Sequence, residues 1–210
     1  MGIEQAGQRR IGLTGGIASG KSTVGRLLAE QHGLPLLDAD LYAREALAPS
    51  TTAARAVVER YGSAVLAVGS DPAAAELDRA ALGRIVFASA SERSWLEQLV
   101  HPLVRARFAA ELKRLAAAPV VVLVIPLLFE AGLESLCSET WLIDCEEQQQ
   151  LERLMARNGL DEAEARARIA AQWPLARKRG LASVVLNNRG TPQELAAQVE
   201  GVLLAGASHP

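Results

Sequence analysis

Five short apolar runs, each bounded by turn residues, place the strongest constraint on the fold of this 210-residue chain. They lie at Ile11–Leu13, Leu34–Leu37, Val120–Ile125, Trp141–Ile143 and Val184–Leu186. Longer stretches with helical periodicity separate the runs. Alternating strands and helices are typical of a parallel sheet that is covered by helices on both faces. The pattern therefore predicts a three-layer α/β fold with a five-stranded parallel sheet.

Three helix ends can be placed from local chemistry. Gly33 is expected to end the first helix, because glycine tolerates the left-handed conformation at a helix C-terminus. Asp161 with Glu164 forms an Asp-headed variant of the capping box and predicts a helix that begins there. Thr191, Pro192 and Glu194 predict the start of the last helix.

The second and third apolar runs are about 80 residues apart, far more than a crossover helix needs. Between them, residues 41–118 have mostly helical periodicity, with apolar positions at helical spacing on both sides of His101–Pro102. Because proline interrupts a helix, a new helix is expected to start at Pro102. The spacing predicts a helical subdomain, 41–118, inserted beside the sheet.

Composition excludes several classes of protein. Half of the residues are hydrophobic, 22% are charged and the mean hydropathy is +0.12, which excludes a disordered or low-complexity chain. The net charge of −2 supplies no positive field that would attract nucleic acid. We therefore expect a globular protein without a nucleic-acid partner, and no protein partner is implied.

Three features bear on the compartment. Residues 1–10 lack the apolar segment of a secretion signal. The longest uncharged run, Leu115–Phe129, contains two prolines and is shorter than the roughly 20 residues that cross a bilayer. Cys137 and Cys145 lack the spacing of a metal site, and a reducing compartment fits them best. We expect a cytoplasmic protein that does not contact a membrane, has no disulfide and binds no metal through cysteine.

The segment after the first apolar run carries the most specific chemical motif of the chain. It matches the pattern G-x-x-x-x-G-K-[ST] in full and leads into a helical stretch. Glycines let successive N–H groups turn inward at the positive end of a helix, where they bind phosphate oxygens. The predicted phosphate-binding residues are Gly15, Gly16, Ala18, Ser19, Gly20, Lys21, Ser22 and Thr23.

Two side chains of this motif have individual roles. We expect the Lys21 ammonium to reach the outer phosphates of a nucleoside triphosphate, and the Ser22 hydroxyl to join the shell of a Mg²⁺ ion. Only three of the 22 basic residues are lysines, at positions 21, 113 and 178. A chain that otherwise uses arginine keeps a lysine where the phosphate loop needs a slim, flexible ammonium. No such argument applies to Lys113 or Lys178.

Two carboxylates, Asp38 and Asp40, follow the second apolar run. We expect this strand to neighbour the strand before the phosphate loop, at the sheet edge where ligands of open α/β sheets bind. One carboxylate would hold a Mg²⁺ water, and the other would accept a proton from an acceptor hydroxyl. Alternatively, Asp40 is the N-cap of the following helix. The two roles of Asp40 are compatible.

Two missing motifs narrow the class of nucleotide-binding protein. The third apolar run ends without the metal-binding Asp that many phosphate-loop proteins have there, and no lysine is followed by x-Asp as in the guanine-binding N-K-x-D. These absences disfavour a motor or a GTPase and favour a small-molecule kinase. A kinase for another nucleoside or small metabolite, and a nucleotide-gated binding protein without turnover, remain open.

Basic residues cluster in two places. Residues 165–179 contain five positive charges without a compensating acid among them, namely Arg166, Arg168, Arg177, Lys178 and Arg179. Upstream, Arg153 and Arg157 are four residues apart and share one face of a helix expected to begin near Glu146. Arginines that close over a nucleotide would neutralise a transferred phosphoryl group, whereas the alternative is a solvated helix face.

Seven segments carry a family resemblance. In order, they are IGLTGGIASGKSTV, LLDADLYAREAL, LDRAALGRIVF, WLEQLVHPLV, IPLLFEAGL, LERLMARNGL and ARIAAQWPLARKR. With these motifs the chain resembles the bacterial dephospho-CoA kinases from Ile11 to about Asn188. The resemblance implies transfer of the γ-phosphoryl group of ATP to the ribose 3′-hydroxyl of dephospho-CoA, with Mg²⁺, as the last step of coenzyme A synthesis.

The resemblance also implies an organisation. It is a single P-loop kinase domain, 1–210, with a core that comprises 9–40, 119–150 and 181–210. A helical CoA-binding insertion, 41–118, and a mobile lid, 151–180, complete it.

Residue roles follow by motif. Asp40 would be the catalytic base, and Lys21 and Arg153 would be further catalytic residues. Arg157, at or near the lid, would bind ATP, and Ser22 and Asp38 would hold Mg²⁺. The chain departs from the family pattern at Ile125, where Asp is common, at Asn158, where Asp is frequent, at Trp173, where Met is frequent, and at Leu186–Asn188, where Ile-Asp-Asn is usual.

Overall fold

The computed structural model describes residues 7–71 and 74–206. The first six residues, part of the segment behind the prediction on export, lie outside the described residues. Within the described chain, one compact unit runs up to Asp38 and resumes at Arg114, and a second unit comprises Ala39–Lys113. The helices are α1 Lys21–His32, α2 Ala39–Ala46, α3 Thr52–Tyr61, α4 Arg79–Ala88, α5 Ala90–Arg114, α6 Glu147–Asn158, α7 Glu162–Ala170, α8 Leu175–Arg179 and α9 Pro192–Gly206.

The first unit is built on a five-stranded sheet. Its strands are β1 Arg9–Gly15, β2 Leu36–Asp38, β3 Val120–Val124, β4 Glu139–Asp144 and β5 Val184–Asn187, in the spatial order β2-β3-β1-β4-β5. Every neighbouring pair is parallel. Each predicted apolar run forms a strand, because strands covered on both faces must be apolar nearly throughout. The predicted five-stranded parallel sheet is confirmed.

The position of β2 differs from the expectation. β2 pairs with β3 and not with β1, so the prediction that it neighbours the phosphate-loop strand is wrong. Asp38 and Leu13 both pair with Val124, from opposite sides, and so lie at the same level of the sheet. At about 4.8 Å per strand, β2 is ~10 Å from β1. Strand β3, between β2 and β1, is Val-Val-Val-Leu-Val, which suits a position buried between two neighbours.

The predicted helix ends are confirmed. Gly33 ends α1 in the left-handed region, with φ 64°. The N–H of Glu164 donates to the Asp161 carboxylate, and the Glu164 carboxylate accepts from the Asp161 N–H, which completes a capping box at α7. Thr191 and Glu194 exchange the corresponding bonds at the start of α9. Helix α6 begins at Glu147, next to the expected Glu146.

The main core of the first unit lies on the sheet face under α1 and α9. Leu28 of α1 and Val199 of α9 are fully buried against Ile11, Val122 and Trp141 of the sheet. Each buried side chain of this size contributes about 1.5–3 kcal/mol relative to exposure. This packing fixes α1, and with it the helix N-terminus that follows the phosphate loop.

The second unit is helical, and one of its elements differs from the expectation. Helix α5 runs without a break through Pro102, so the prediction of a new helix at this residue is wrong. Val100, Val104, Phe108 and Leu112 follow at four-residue spacing and are all buried. Burial of this continuous apolar stripe offsets the hydrogen bond that proline removes.

A polar cluster joins α3 to α5 in the same unit. The Arg60 guanidinium and the Tyr61 hydroxyl both donate to the Glu92 carboxylate. These hydrogen bonds lower the pKa of Glu92 to about 2.

Among the described residues, no helix combines the length and apolarity that crossing a bilayer requires.

Candidate active site

The phosphate-binding motif forms the turn between β1, which ends at Gly15, and α1, which begins at Lys21. Gly20 precedes the helix with φ 110°, and Ala18 adopts a left-handed conformation with φ 58°. For alanine this conformation costs roughly 1–2 kcal/mol, so surrounding contacts must hold the loop in it. The Thr23 and Val24 N–H groups donate to the Gly20 carbonyl, and the N-terminus of α1 places the positive end of the helix dipole at the loop. The local geometry therefore suits an anion.

Three side-chain amides from distant segments hold this loop. Gln150 of α6 donates through Nε2 to the Ile17 carbonyl at 2.7 Å. Gln172, between α7 and α8, accepts from the Ile17 N–H at 2.8 Å through Oε1. Asn188, directly after β5, donates to the Ser19 carbonyl at 2.7 Å. None of the three was among the predicted site residues, because the loop motif says nothing about what surrounds it.

The tip of the loop is also packed against apolar side chains. Ile17 and Ala18 contact a cluster that contains the buried residues Leu151, Leu154 and Ala165 of α6 and α7. Polar anchors and apolar packing together fix the loop conformation from the side of residues 151–172.

The predicted phosphate ligands lie together in this loop. The Lys21 ammonium donates to the carbonyls of Gly15 and Gly16, at 3.1 and 2.7 Å. The Ser19 hydroxyl is buried and has no hydrogen-bond partner. Ser22 and Thr23, in the first turn of α1, are exposed. The arrangement leaves a cation at the centre of the loop and hydroxyl groups at its rim.

The two arginines of α6 have different surroundings. Arg153 donates through Nη2 to the Asn188 carbonyl at 3.1 Å, and its Nη1 is buried without a partner. Because Asn188 also holds Ser19, Arg153 is one residue removed from the loop. Arg157 is exposed, and its Nε donates to the Asn158 side chain at 2.8 Å.

The basic residues of 165–179 are compensated by acids outside that segment. Arg166 pairs with Glu162, Lys178 with Glu130 and Arg179 with Asp144. The expectation of uncompensated charges is therefore wrong for these three, because Glu162 lies one turn earlier in α7 and Glu130 and Asp144 come from other parts of the fold. The Arg177 guanidinium lies 3.2 Å from the centroid of the Trp173 ring.

Asp144 was not predicted, although it ends β4, the other neighbour of β1. It is buried and accepts from Arg179 Nε and from Arg189 Nη2, each at 2.9 Å. The hydrogen bond to Asp144 raises the pKa of Arg179. Arg189 also pairs with Glu146 at 2.6 Å. An acid at the end of a predicted strand, as at Asp38, is the signal that would have identified Asp144.

A cavity of about 230 Å³ adjoins the loop at Gly16. Its other walls come from residues 145–150 and 169–179. Cys145 lines the cavity and is a free thiol, and burial raises its pKa. The other cysteine, Cys137, is also free, and burial raises its pKa to about 12. Both thiols are therefore protonated at neutral pH and weakly nucleophilic.

The two predicted acids fall on either side of the boundary between the units. Asp38 is the last residue of β2 and is half-buried, whereas Asp40 is exposed. Helix α2 begins at Ala39, which places Asp40 inside its first turn, so the N-cap alternative for Asp40 is wrong. A carboxylate in the first turn still interacts favourably with the helix dipole.

Two of the departures from the family pattern keep a hydrogen-bond acceptor at the position, without the charge of an aspartate. Asn158 accepts from Arg157, and Asn187 accepts from the Arg189 N–H at 2.9 Å. Both use only the amide oxygen, which an aspartate would also offer. Ile125 is buried, at 2% exposure, which suits isoleucine.

We predict that Gly20→Ala weakens nucleotide binding at least about tenfold, a loss of ~1.4 kcal/mol. An added Cβ would overlap the Asn188 amide and force it away from the Ser19 carbonyl. Titration with ADP measures the effect.

Gly33→Ala is the matched control at the other end of α1. Its φ is also positive, at 64°, but no atom lies within 4 Å of the added Cβ. It should lose about 1 kcal/mol of stability through backbone strain and keep its affinity for ADP. Equal ADP affinities in the two variants would contradict the role given to Gly20.

Comparison with known proteins places the chain in a family. A family model described as dephospho-CoA kinase matches residues 9–194. The dephospho-CoA kinase of Synechococcus sp. strain CC9605 is 64% identical over 189 residues, 90% of this chain and 89% of that protein.

Comparison with solved structures agrees with this family match. A protein from Thermus thermophilus has a TM-score of 0.78 at 38% identity, and the match covers 95% of this chain and 98% of the other. A dephospho-CoA kinase from Campylobacter jejuni has a TM-score of 0.68 at 25% identity, with 93% and 95% covered. These matches confirm the predicted P-loop kinase fold, and the chain belongs to the dephospho-CoA kinase family.

Proposed function

We propose that this chain transfers the γ-phosphoryl group of ATP to the ribose 3′-hydroxyl of dephospho-CoA and so forms coenzyme A and ADP. The match of the dephospho-CoA kinase family over residues 9–194 carries the proposal. The intact phosphate loop, with Lys21 bonded inside it, supports the same activity.

ATP binds through its phosphates to the loop, Gly15–Thr23. The Lys21 ammonium exchanges the carbonyls of Gly15 and Gly16 for the β- and γ-phosphates. Phosphate oxygens also meet the buried Ser19 hydroxyl, which lacks a partner of its own. Arg157, exposed on α6, adds charge compensation from the lid side.

The donor set near the loop fits Mg²⁺. Ser22 offers an exposed hydroxyl and Asp38 a carboxylate at the end of β2, and oxygen is the ligand type that Mg²⁺ takes. Within the described residues, no cluster of three or more His, Cys, Asp or Glu side chains forms a separate metal site. This suits an ion that takes its remaining ligands from phosphate and water. When bound, Mg²⁺ neutralises charge on the β- and γ-oxygens.

Two residues act on the transferred group and its acceptor. Asp40 accepts the proton of the acceptor hydroxyl, and its carboxylate is exposed to solvent. Arg153 stabilises the charge that spreads over the phosphoryl oxygens, because its buried Nη1 has a donor left to offer.

The remaining parts have separate tasks. Residues 41–118 bind the acceptor, and residues 151–180 form a lid that keeps water from the γ-phosphate. The reaction takes place in the cytoplasm.

Release of ADP, measured with purified protein, ATP, Mg²⁺ and dephospho-CoA, tests the proposal. We expect dephospho-CoA to stimulate ADP release well above the ATP-only background, with coenzyme A as the product. A rate that dephospho-CoA leaves at the background would overturn the proposed function.

A panel of hydroxyl acceptors in the same assay separates the alternatives. Stimulation by another nucleoside or small metabolite instead would indicate a different P-loop kinase. Tight binding of ATP without any acceptor-dependent turnover would indicate a nucleotide-gated binding protein.

We predict that Asp40→Asn lowers turnover by about 100-fold or more, the usual scale for a lost general base, and leaves ATP affinity nearly intact. Asp40 is exposed in the first turn of α2, so the isosteric amide should cost no more than about 1 kcal/mol of stability, through the lost interaction with the helix dipole. Steady-state kinetics with an ATP titration measures both quantities. Turnover near that of the wild type would remove Asp40 from this role.

A further inference from the structure

Lys178 of α8 is fully buried, at 0% exposure. An ammonium in the interior costs several kcal/mol unless an acid compensates it. Its Nζ lies 2.7 Å from Glu130 Oε1 and 3.4 Å from the Pro126 carbonyl, both in the turn that follows β3. The second oxygen of Glu130 is buried without a hydrogen-bond partner. The charge of this carboxylate is therefore balanced by Lys178, and each member keeps the other in the interior.

The pair also holds the backbone that leads to the phosphate loop. Glu130 Oε1 accepts the Trp173 N–H at 3.1 Å. The preceding residue, Gln172, accepts the Ile17 N–H of the loop at 2.8 Å. A continuous path of contacts thus joins Lys178 to the tip of the phosphate loop.

A second contact reaches the base of the loop. The Pro126 carbonyl that accepts from Lys178 also accepts from the Thr14 hydroxyl at 3.2 Å. Thr14 is buried and directly precedes Gly15. The turn after β3, to which Lys178 is tied, therefore touches the strand that carries the loop.

We infer that the buried Lys178–Glu130 pair is a positioning device for nucleotide binding: it fixes Gln172 and, through it, the phosphate loop. This inference rests on the proposed function in so far as the loop binds the nucleotide. Neither residue touches the nucleotide in this role. Loss of the Trp173 anchor frees Gln172 and releases the Ile17 N–H, so the affinity for ADP falls while the fold persists.

Two double variants separate positioning from mere stabilisation. Lys178→Met with Glu130→Leu replaces the pair by apolar side chains of similar volume, an exchange that is often neutral for stability. It leaves the Trp173 N–H without its acceptor. Lys178→Met with Glu130→Gln is also uncharged but keeps a side-chain oxygen for that N–H. Lys113→Met, at an exposed lysine outside the path, is the control for the substitution itself.

The readouts are the affinity for ADP, the hydrogen exchange of the Ile17 amide and the melting temperature. We expect the Leu-containing double variant to melt near the wild type, bind ADP about tenfold more weakly and exchange the Ile17 amide faster. The Gln-containing variant should bind ADP more tightly and exchange the Ile17 amide more slowly than the Leu-containing variant. A folded Leu-containing variant with wild-type ADP affinity and wild-type Ile17 exchange would overturn the inference.

Gln172→Ala keeps the inference testable if the Leu-containing variant does not fold. It removes the acceptor of the Ile17 N–H without touching the buried pair, and we expect about the same tenfold loss of ADP affinity. Wild-type affinity in Gln172→Ala would break the path and overturn the inference. Both measurements use ADP alone, so they stand even if dephospho-CoA fails as the acceptor.

Discussion

The phosphate loop has a backbone geometry that suits an anion because contacts from outside hold it in a strained conformation. Ala18 lies in the left-handed region, and Gly20 at φ 110°. The hydrogen bonds of Gln150, Gln172 and Asn188 to loop carbonyl and N–H groups offset this cost from outside. When phosphate arrives, the loop backbone keeps its conformation and the Lys21 ammonium only exchanges its two carbonyl partners. Such preorganisation is the basis of electrostatic catalysis of phosphoryl transfer.

Arginine and lysine side chains take different positions between the surface and the interior of the protein. Arginines make the ion pairs that remain partly exposed, as at Arg179 and Arg189, whose side chains are each 40% exposed around Asp144. Two of the three lysines lie within the protein, Lys21 inside the loop and Lys178 buried against Glu130, whereas Lys113 is exposed. Lysine is scarce in this chain, and Lys178 as well as Lys21 is tied to the phosphate loop, because Lys178 holds Glu130 and through it the segment that contacts Ile17.

Sequence reasoning predicted what is local and missed what depends on distant contacts. The strands were predictable since parallel strands must be apolar on both faces, and the loop since its motif is contiguous. The anchoring amides were not, because Gln150, Gln172 and Asn188 are ordinary polar residues that meet the loop across 133, 155 and 169 positions of the chain. The position of β2 was predicted wrongly for the same reason, since strand order depends on contacts that are distant in the chain. Tertiary packing likewise lets α5 continue through Pro102, which the local sequence does not predict.

The proposed role of Lys21 requires a slim ammonium within a rigid loop, and Lys21→Arg separates this geometry from the charge. A planar guanidinium is wider than the ammonium that lies 3.1 and 2.7 Å from the Gly15 and Gly16 carbonyls, so the change keeps the charge but loses the geometry. The measurement is ADP release in the presence of dephospho-CoA, beside Lys113→Arg as the exposed control. The account predicts a loss of about 100-fold or more in Lys21→Arg and none in the control. Full turnover in Lys21→Arg would contradict it.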